Sequence, residues 1–404
     1  MVWYGIPIRI EVAARFNVTC ARPTIPMLRV RCRFSVNQLP RSIAHGASQR
    51  HSARGRHDLK PPANRSVWVS HRTPFTTAKT AMRAIVQEGY GSVDVLKLRD
   101  IGLPSVADDG VLVRVHAASV NALDAHLVHM PLVARVFFGL PSPRVAVRGV
   151  DLAGTVEAVG RNVTRFKRGD EVFGVAPGAF AEYASTKEDR LAAKSPGLTF
   201  QQAAALPVAG VTALQGLRDT ARVQAGQRVL VHGAGGGVGT FAVQIAKALG
   251  AHVTAVTGTR NLEVVRSLGP DRIIDYTRED FTRQRERFDV FFDVAATRPL
   301  RDCLQVLVPA GTFVAAGAPK GGLTVLLGRL LALRAASVFT SRRIPSFMAR
   351  IRPDDLVALQ EMVEAGKITA LIDREYPLHE VPDAIRYVKS GQGRAKVVIG
   401  WFCT

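Results

Sequence analysis

Arg228-Val229-Leu230-Val231-His232 runs directly into Gly233-Ala234-Gly235-Gly236-Gly237-Val238-Gly239, and Thr240-Phe241-Ala242-Val243-Gln244-Ile245-Ala246-Lys247-Ala248-Leu249 follows. The first five residues form a short apolar run rich in β-branched side chains, which reads as a buried strand. Val238, Phe241, Ala242, Ile245 and Leu249 then fall on one face at helical spacing. A strand, a bare turn and an amphipathic helix in this order suit a phosphate. Its oxygens need backbone N–H donors at the positive end of a helix, and side chains in the turn would hold a pyrophosphate away. Gly236 and Gly239 take the second and third glycine positions of the dinucleotide fingerprint. Ala234 takes the first, so the strict G-x-G-x-x-G pattern is not met. The flanking strand and helix supply the context that gives the motif weight. Ala234, Gly235, Gly236, Gly237, Val238 and Gly239 are therefore assigned to cofactor binding.

The next strand, His252–Val256, ends in Thr257-Gly258-Thr259-Arg260. A site for NAD places Asp or Glu there, on the ribose 2′-hydroxyl. No acid is present in this segment, and an arginine is. A guanidinium suits a 2′-phosphate, which a carboxylate would repel. Thr259 and Arg260 thus point to NADPH.

Outward from this loop the chain keeps the same rhythm. Asn261–Ser267 reads as a helix, Arg272–Tyr276 as a strand, Phe288–Val294 as a buried strand and Gly311–Ala316 as another. Such alternation predicts a parallel sheet covered by helices on both faces. Before residue 199 the text differs. Met82–Gln87, Gly110–Ala117, Gly154–Val159 and Glu171–Val175 are short β-branched runs broken by Gly, Pro and Asp, which predicts a barrel-like β module. Tyr376–Ile399 returns to strand, helix, strand and is expected to rejoin that module. The expected organisation is a basic extension over 1–81, a β module over 82–206, a nucleotide-binding domain over 207–345 and a return over 346–404.

Residues 82–400 resemble the medium-chain dehydrogenase/reductase superfamily, in its zinc-free, zeta-crystallin-like quinone oxidoreductase branch. Gly226-Gln227, Leu230, Ala234-Gly235-Gly236-Gly237, Gly239, Gln244 and Lys247 fall on that branch's signature. Ala118–Asp124, Gly149–Gly154, Leu206–Ala213 and Gly393–Ile399 are further family-like segments. The resemblance implies an α/β fold with a GroES-like substrate domain and a Rossmann domain, an active site in the cleft between them, and a homodimer. It implies that Lys247 and Tyr276 help to hold the 2′-phosphate, and that Arg394 and Lys396, in the terminal segment, lie at the cofactor. Zinc alcohol dehydrogenases of the superfamily carry a Cys, a His-Glu pair and a second Cys as catalytic ligands. Here Asn121, Val150-Asp151 and Val208 stand at or near those positions, and Leu123 replaces the proton-relay hydroxyl. Zinc needs about four soft or imidazole donors, so no metal is expected and simple alcohol oxidation is disfavoured.

Quinones and α,β-unsaturated carbonyls accept hydride without a Lewis acid, and they are the expected substrates. Asn121 is the candidate hydrogen-bond donor to the substrate carbonyl. Asp124 reads as a loop-orienting or turn-capping acid. Thr212, after the Pro-Val-Ala-Gly turn, is expected to face the nicotinamide. His126–Val147, with Phe137-Phe138, reads either as an acceptor-pocket wall or as a cover for the β module or a partner subunit. Leu323–Ser341 carries the same alternatives.

Of 404 residues, 54 are Lys or Arg and 33 are Asp or Glu, for a net charge of +21. Residues 1–81 hold +12 of that charge and no sustained apolar period. Such a segment buries too little surface to offset its ordering entropy. It reads as an over-long reading frame ahead of Met82, as a transit peptide, or as a nucleic-acid-binding tail. A nucleic-acid-binding protein is thus the alternative from another functional class, although no RNA-recognition aromatic motif is visible. The four cysteines, Cys20, Cys32, Cys303 and Cys403, form no disulfide framework, which fits a reducing cytoplasm. Arg329 and Arg334 interrupt the most apolar later stretch, so no membrane span is expected.

Overall fold

The computed structural model describes residues 81–129, 143, 146–319 and 322–401. The basic extension up to residue 80 and most of His126–Val147 lie outside the described residues.

In the first lobe, β1 (Ala81–Gln87) pairs antiparallel with β2 (Leu96–Gly102). The long β3 (Gly110–Val120) is the spine of a seven-stranded sheet and runs into helix α1 (Ala122–Val128). It is followed by β4 (Asp151–Val159), β5 (Glu171–Val175), β6 (Tyr183–Lys187) and β7 (Leu191–Ala193). One side of β3 pairs with β4, and the first half of its other side pairs with β6. The β3–β4 ladder shifts register twice, near Leu112/Val113 and Val115/Ala117. Such bulges bend a sheet and curl this one towards a barrel. Two helices lead out, α2 (Phe200–Ala205) and α3 (Pro207–Leu214). Thr199 starts α2 with a reciprocal cap: Gln202 N–H donates to its hydroxyl (3.1 Å), and its own N–H donates to the Gln202 amide (3.0 Å).

The second lobe holds five parallel strands: β8 (Arg228–His232), β9 (His252–Thr257), β10 (Arg272–Asp275), β11 (Phe288–Asp293) and β12 (Leu307–Ala315). Their spatial order is β10-β9-β8-β11-β12. Helices α4 (Gly237–Ala248), α5 (Leu262–Ser267), α6 (Leu300–Gln305), α7 (Gly322–Phe339) and α8 (Pro353–Glu364) follow in turn. Alternation along the strands explains why both sheet faces are covered. Val229 and Val231 share a core with Phe241, Ala242 and Ile245 of α4. Leu230 faces the other way, with Phe288, Phe291, Phe313, Cys303 and Leu304. Strand order reverses at β8 and β11, and ligands of such sheets bind beyond the carboxyl ends of the strands at that point.

The chain then crosses back. β13 (Ile372–Pro377), α9 (Val381–Ser390) and β14 (Lys396–Gly400) end the fold. β14 is parallel to β13 and antiparallel to the second half of β3, so it completes the first lobe's sheet. The residue before it pairs with the glycine loop of the other lobe: Ala395 N–H donates to the Gly235 carbonyl (2.9 Å).

The Leu323–Ser341 stretch is the helix α7. Leu333 and Ala336 pack on the core, and Arg329 turns inward to Asp293. The outer side is apolar, with Leu331 71% and Phe339 85% exposed. Among the described residues, no helix is long and apolar enough to cross a membrane.

Candidate active site

The glycine loop divides its labour. Gly233 carries a positive φ of 91°, so the tight turn begins one residue earlier than in the strict fingerprint and Ala234 is tolerated as a buried residue. At Gly239 a Cβ would lie 2.1 Å from the Gly233 carbonyl oxygen. Only glycine lets α4 approach the strand end this closely. At Gly236 a Cβ would meet nothing nearer than 3.7 Å, so a side chain there would occupy open space ahead of the helix. The N–H groups of Val238 and Gly239 open α4 and lack intrahelical acceptors, whereas Gly237 is engaged through the bridge between Gly236 and Ala395. A bare turn, open space at Gly236 and free donors at a helix start fit a pyrophosphate.

At the ends of β9 and β10 the structure brings Thr259, Arg260 and Tyr276 to one edge. Arg260 is exposed and has no hydrogen bond or ion pair among the described residues. Tyr276 is 51% exposed, with its hydroxyl 3.1 Å from where a Cβ on Gly258 would stand. The Thr259 hydroxyl donates to Asp275 (2.6 Å). Arg260 and the Tyr276 hydroxyl fit a phosphorylated ribose.

Lys247 is not brought to this edge. Its ammonium lies on both oxygens of Asp271 (2.8 and 2.9 Å), and Asp271 also accepts the Val253 N–H (2.7 Å). The reason is directional. α4 starts at the carboxyl end of β8 and runs back, so its last turn stands over the amino ends of the strands. Val253 and Thr257 are four residues apart along β9, about 13 Å at strand rise. Arg394 is exposed, and its backbone N–H donates to Asp373 (2.8 Å). Lys396 points inward, away from the ribose edge, with its chain against Gly237.

Behind the loop lies a buried polar cluster. Asn121, Asp124, Asp151, Ser119 and Lys396 are each less than 10% exposed. Asp151 accepts from the Ser119 hydroxyl (2.9 Å), the Asn121 amide (2.9 Å) and the Val208 N–H (3.2 Å), and Lys396 Nζ stands 3.5 Å away. Lys396 also donates to Asn121 Oδ1 (2.7 Å). The Asn121 amide is thereby fixed: its oxygen faces the ammonium, one N–H faces Asp151, and the second N–H remains for another acceptor. Burial pushes Asp151 up and Lys396 down, and their mutual attraction opposes both shifts. Asp124 accepts the Asn121 N–H (2.7 Å) at the start of α1 and holds the turn into that helix. Its other oxygen has no partner, and burial raises its pKa to about 7. Thr212 is buried in α3, and its hydroxyl donates to Val208 of its own helix (2.6 Å).

Several residues here had no assigned role in the sequence. Asp151 was visible only as a zinc-ligand replacement, and Ser119 had no spacing signal. His232 and Asp293 close the carboxyl ends of β8 and β11 with an Nδ1···Oδ1 contact of 2.9 Å. The carboxylate fixes the tautomer with Nδ1 protonated, and Arg329 of α7 bonds its other oxygen. Strand alternation cannot foretell that pairing, because the three residues lie on different elements.

Residues 107–197 match the family described as alcohol dehydrogenase GroES-like domain, and residues 268–399 match that described as zinc-binding dehydrogenase. The zinc of that second description finds no donor set here. Asn121, Val150, Asp151 and Val208 offer an amide, a carboxylate and two alkyl groups, and the carboxylate is already held by three donors and an ammonium. Among the described residues, no group of three or more His, Cys, Asp or Glu could hold a metal ion. The 2-methylene-furan-3-one reductase of Solanum lycopersicum is 34% identical over 84% of each chain. The chloroplastic NADPH-dependent alkenal/one oxidoreductase of Arabidopsis thaliana is 34% identical over 79% of each. The quinone oxidoreductase of Homo sapiens is 30% identical over 79% of this chain and 97% of that one. Among solved structures, the quinone oxidoreductase from Coxiella burnetii superposes with a TM-score of 0.71 at 31% identity, covering 80% of this chain and all of that one.

Proposed function

The chain belongs to the medium-chain dehydrogenase/reductase superfamily, in its zinc-free quinone and alkenal oxidoreductase branch, and is an NADPH-linked oxidoreductase of quinones and enones; we propose that Asn121 is its acceptor-binding residue. The observation that carries this assignment is the fixed amide, clamped between Lys396 and Asp151 with one N–H left over.

Reduced nicotinamide, when bound, supplies the hydride. The residues of the chain do the rest. The free Asn121 N–H donates to the acceptor oxygen and strengthens its bond as negative charge develops there. Lys396, on the amide oxygen, polarises that N–H. Asp124 keeps the Asn121 backbone in place and stores a proton near neutral pH. Thr212 has spent its only proton on its own helix, so it shapes the cleft wall and can accept but not donate. Gly236 to Gly239 take the pyrophosphate. Arg394, next to the Ala395–Gly235 pairing, adds a cation beside that loop. Arg260 and Tyr276 take the 2′-phosphate.

A homodimer is part of this reading. A helix apolar on its outer side is normally covered, and α7 offers such a side to a second copy.

The test follows the absorbance of reduced nicotinamide with a small para-quinone and with an enone, using the full chain. Asn121→Ala should lower kcat about 100-fold with both acceptors and leave the NADPH Kd unchanged. An unchanged kcat would remove Asn121 from the site.

A further inference from the structure

We propose that Asp275 sets the cofactor preference of this enzyme by holding Thr259 as a hydrogen-bond acceptor, which admits the 2′-hydroxyl of NADH beside the 2′-phosphate of NADPH. The inference rests on the reading that places the adenosine ribose at the ends of β9 and β10.

Asp275 closes β10, and its side chain is 9% exposed. Oδ2 accepts from the Thr259 hydroxyl (2.6 Å). Oδ1 accepts from the Thr277 N–H (3.0 Å) and the Thr277 hydroxyl (2.8 Å). The two threonine oxygens are 2.8 Å apart. Each hydroxyl has one proton; with Thr259 donating to Asp275, Thr277 donates either to Asp275 or to Thr259, and in both arrangements the Thr259 proton is spent inward. What Thr259 presents outward is therefore lone pairs. A phosphate dianion needs donors and finds none at the Thr259 hydroxyl. A ribose hydroxyl is a donor and finds an acceptor.

Charge acts in the same direction. The Thr259 hydrogen bond, above all, holds the Asp275 carboxyl below its ordinary range, so it is ionised at neutral pH. A carboxylate beside a 2′-phosphate opposes it. Lys247, which could have offset this, is bound to Asp271 at the other end of the sheet. Arg278, whose Nε stands 3.8 Å from Asp275 Oδ2 and whose side chain is 77% exposed, offsets part of the carboxylate's charge, and Arg260 is the cation that favours the phosphate. An NAD site has its acid at the end of the second strand. Here the acid comes from the third strand and acts through a hydroxyl, so the motif for the second strand does not reveal it.

The experiment measures Kd and kcat/KM for NADPH and NADH in the full chain. Asp275→Asn keeps the shape and removes the charge. It should raise the NADPH-over-NADH ratio of kcat/KM about tenfold, through KM with little change in kcat. Thr259→Val should weaken NADH several-fold and leave NADPH within about twofold. An unchanged ratio in a folded Asp275→Asn variant overturns the proposal. Should that variant fail to fold, Thr259→Val decides alone, and equal effects on both cofactors overturn the proposal. Arg260→Ala separates the two levels. If it leaves NADPH affinity unchanged, the ribose does not lie here and the underlying reading fails. If it weakens NADPH while Asp275→Asn and Thr259→Val do nothing, only the present inference fails.

Discussion

The ribose edge and the buried cluster use the same chemical groups under opposite conditions. At the edge, Asp275, Thr259, Arg260 and Tyr276 stand at the rim of a sheet, where Arg260 is exposed and water competes for it. In the cluster, Asp151, Asn121, Ser119 and Lys396 are out of water. A carboxylate at the edge is held low by its hydrogen bonds, as at Asp275. A carboxylate in the interior is pushed high by desolvation, as at Asp124. Interactions at the edge therefore tune preference, whereas those in the cluster bear on stability and on catalysis together.

The sharpest break in this comparison comes from two glycines three residues apart. Gly239→Val would drive a side chain into the Gly233 carbonyl. Backbone cannot yield as a side chain can, so a loss on the order of 3 kcal/mol or more is expected, read as failure to give a native melting transition. Gly236→Val has open space. It should melt within about 2 °C of the parent yet bind NADPH roughly 100-fold more weakly, because the side chain takes the pyrophosphate's place.

Next in size is the buried pair. Asp151→Ala leaves the Lys396 ammonium without its carboxylate, and breaking such a pair costs about 3–5 kcal/mol. Lys396→Met should cost less, because Asp151 keeps the Ser119, Asn121 and Val208 donors. Denaturant melts of both variants check the order, and equal losses would mean that the three donors contribute nothing.

The pH profile of stability sharpens the contrast. Asp124 ionises at 3.8 in the unfolded reference and at about 7 in the fold. Below pH 4 both states are protonated. Between pH 4 and 7 the unfolded chain releases the proton while the folded chain keeps it, so stability falls as pH rises, by up to roughly 4 kcal/mol. Above pH 7 the difference is constant. Asp124→Asn should remove this slope, seen as a shrinking gap between the two proteins' stabilities towards low pH. A gap independent of pH would mean that Asp124 is already ionised in the fold.

The smallest effect belongs to Lys247→Ala. Its partly exposed pair with Asp271 contributes within about 1 kcal/mol, and the NADPH-over-NADH ratio should not move. A changed ratio would return Lys247 to the cofactor.

The sequence was most legible where function depends on backbone. The strand, glycine loop and helix from Arg228 to Ala248 fall where period and turn chemistry place them. Arg260 and Tyr276 sit at strand ends because a strand of known register has only one such end. Lys247 is the counter-example. Its place in a signature suggested a ligand, but helix direction puts it at the far side of the sheet, and Gln244 of the same signature ties α4 to Thr369 (3.1 and 2.8 Å). The resemblance implies Lys396 at the cofactor; its chain lies against Gly237, and its charge is spent on Asn121 and Asp151.

By itself the sequence determined the parallel sheet, the bare turn for a pyrophosphate and the missing acid at the second strand. These follow from residue type and local period, which act over a few neighbours. Only the tertiary structure decided that Asn121 is clamped by a carboxylate and an ammonium from β4 and β14, and that Asp275 takes the proton of Thr259. Those contacts join residues up to 275 positions apart. Their strength comes from the exclusion of water, which exists only once the elements have packed.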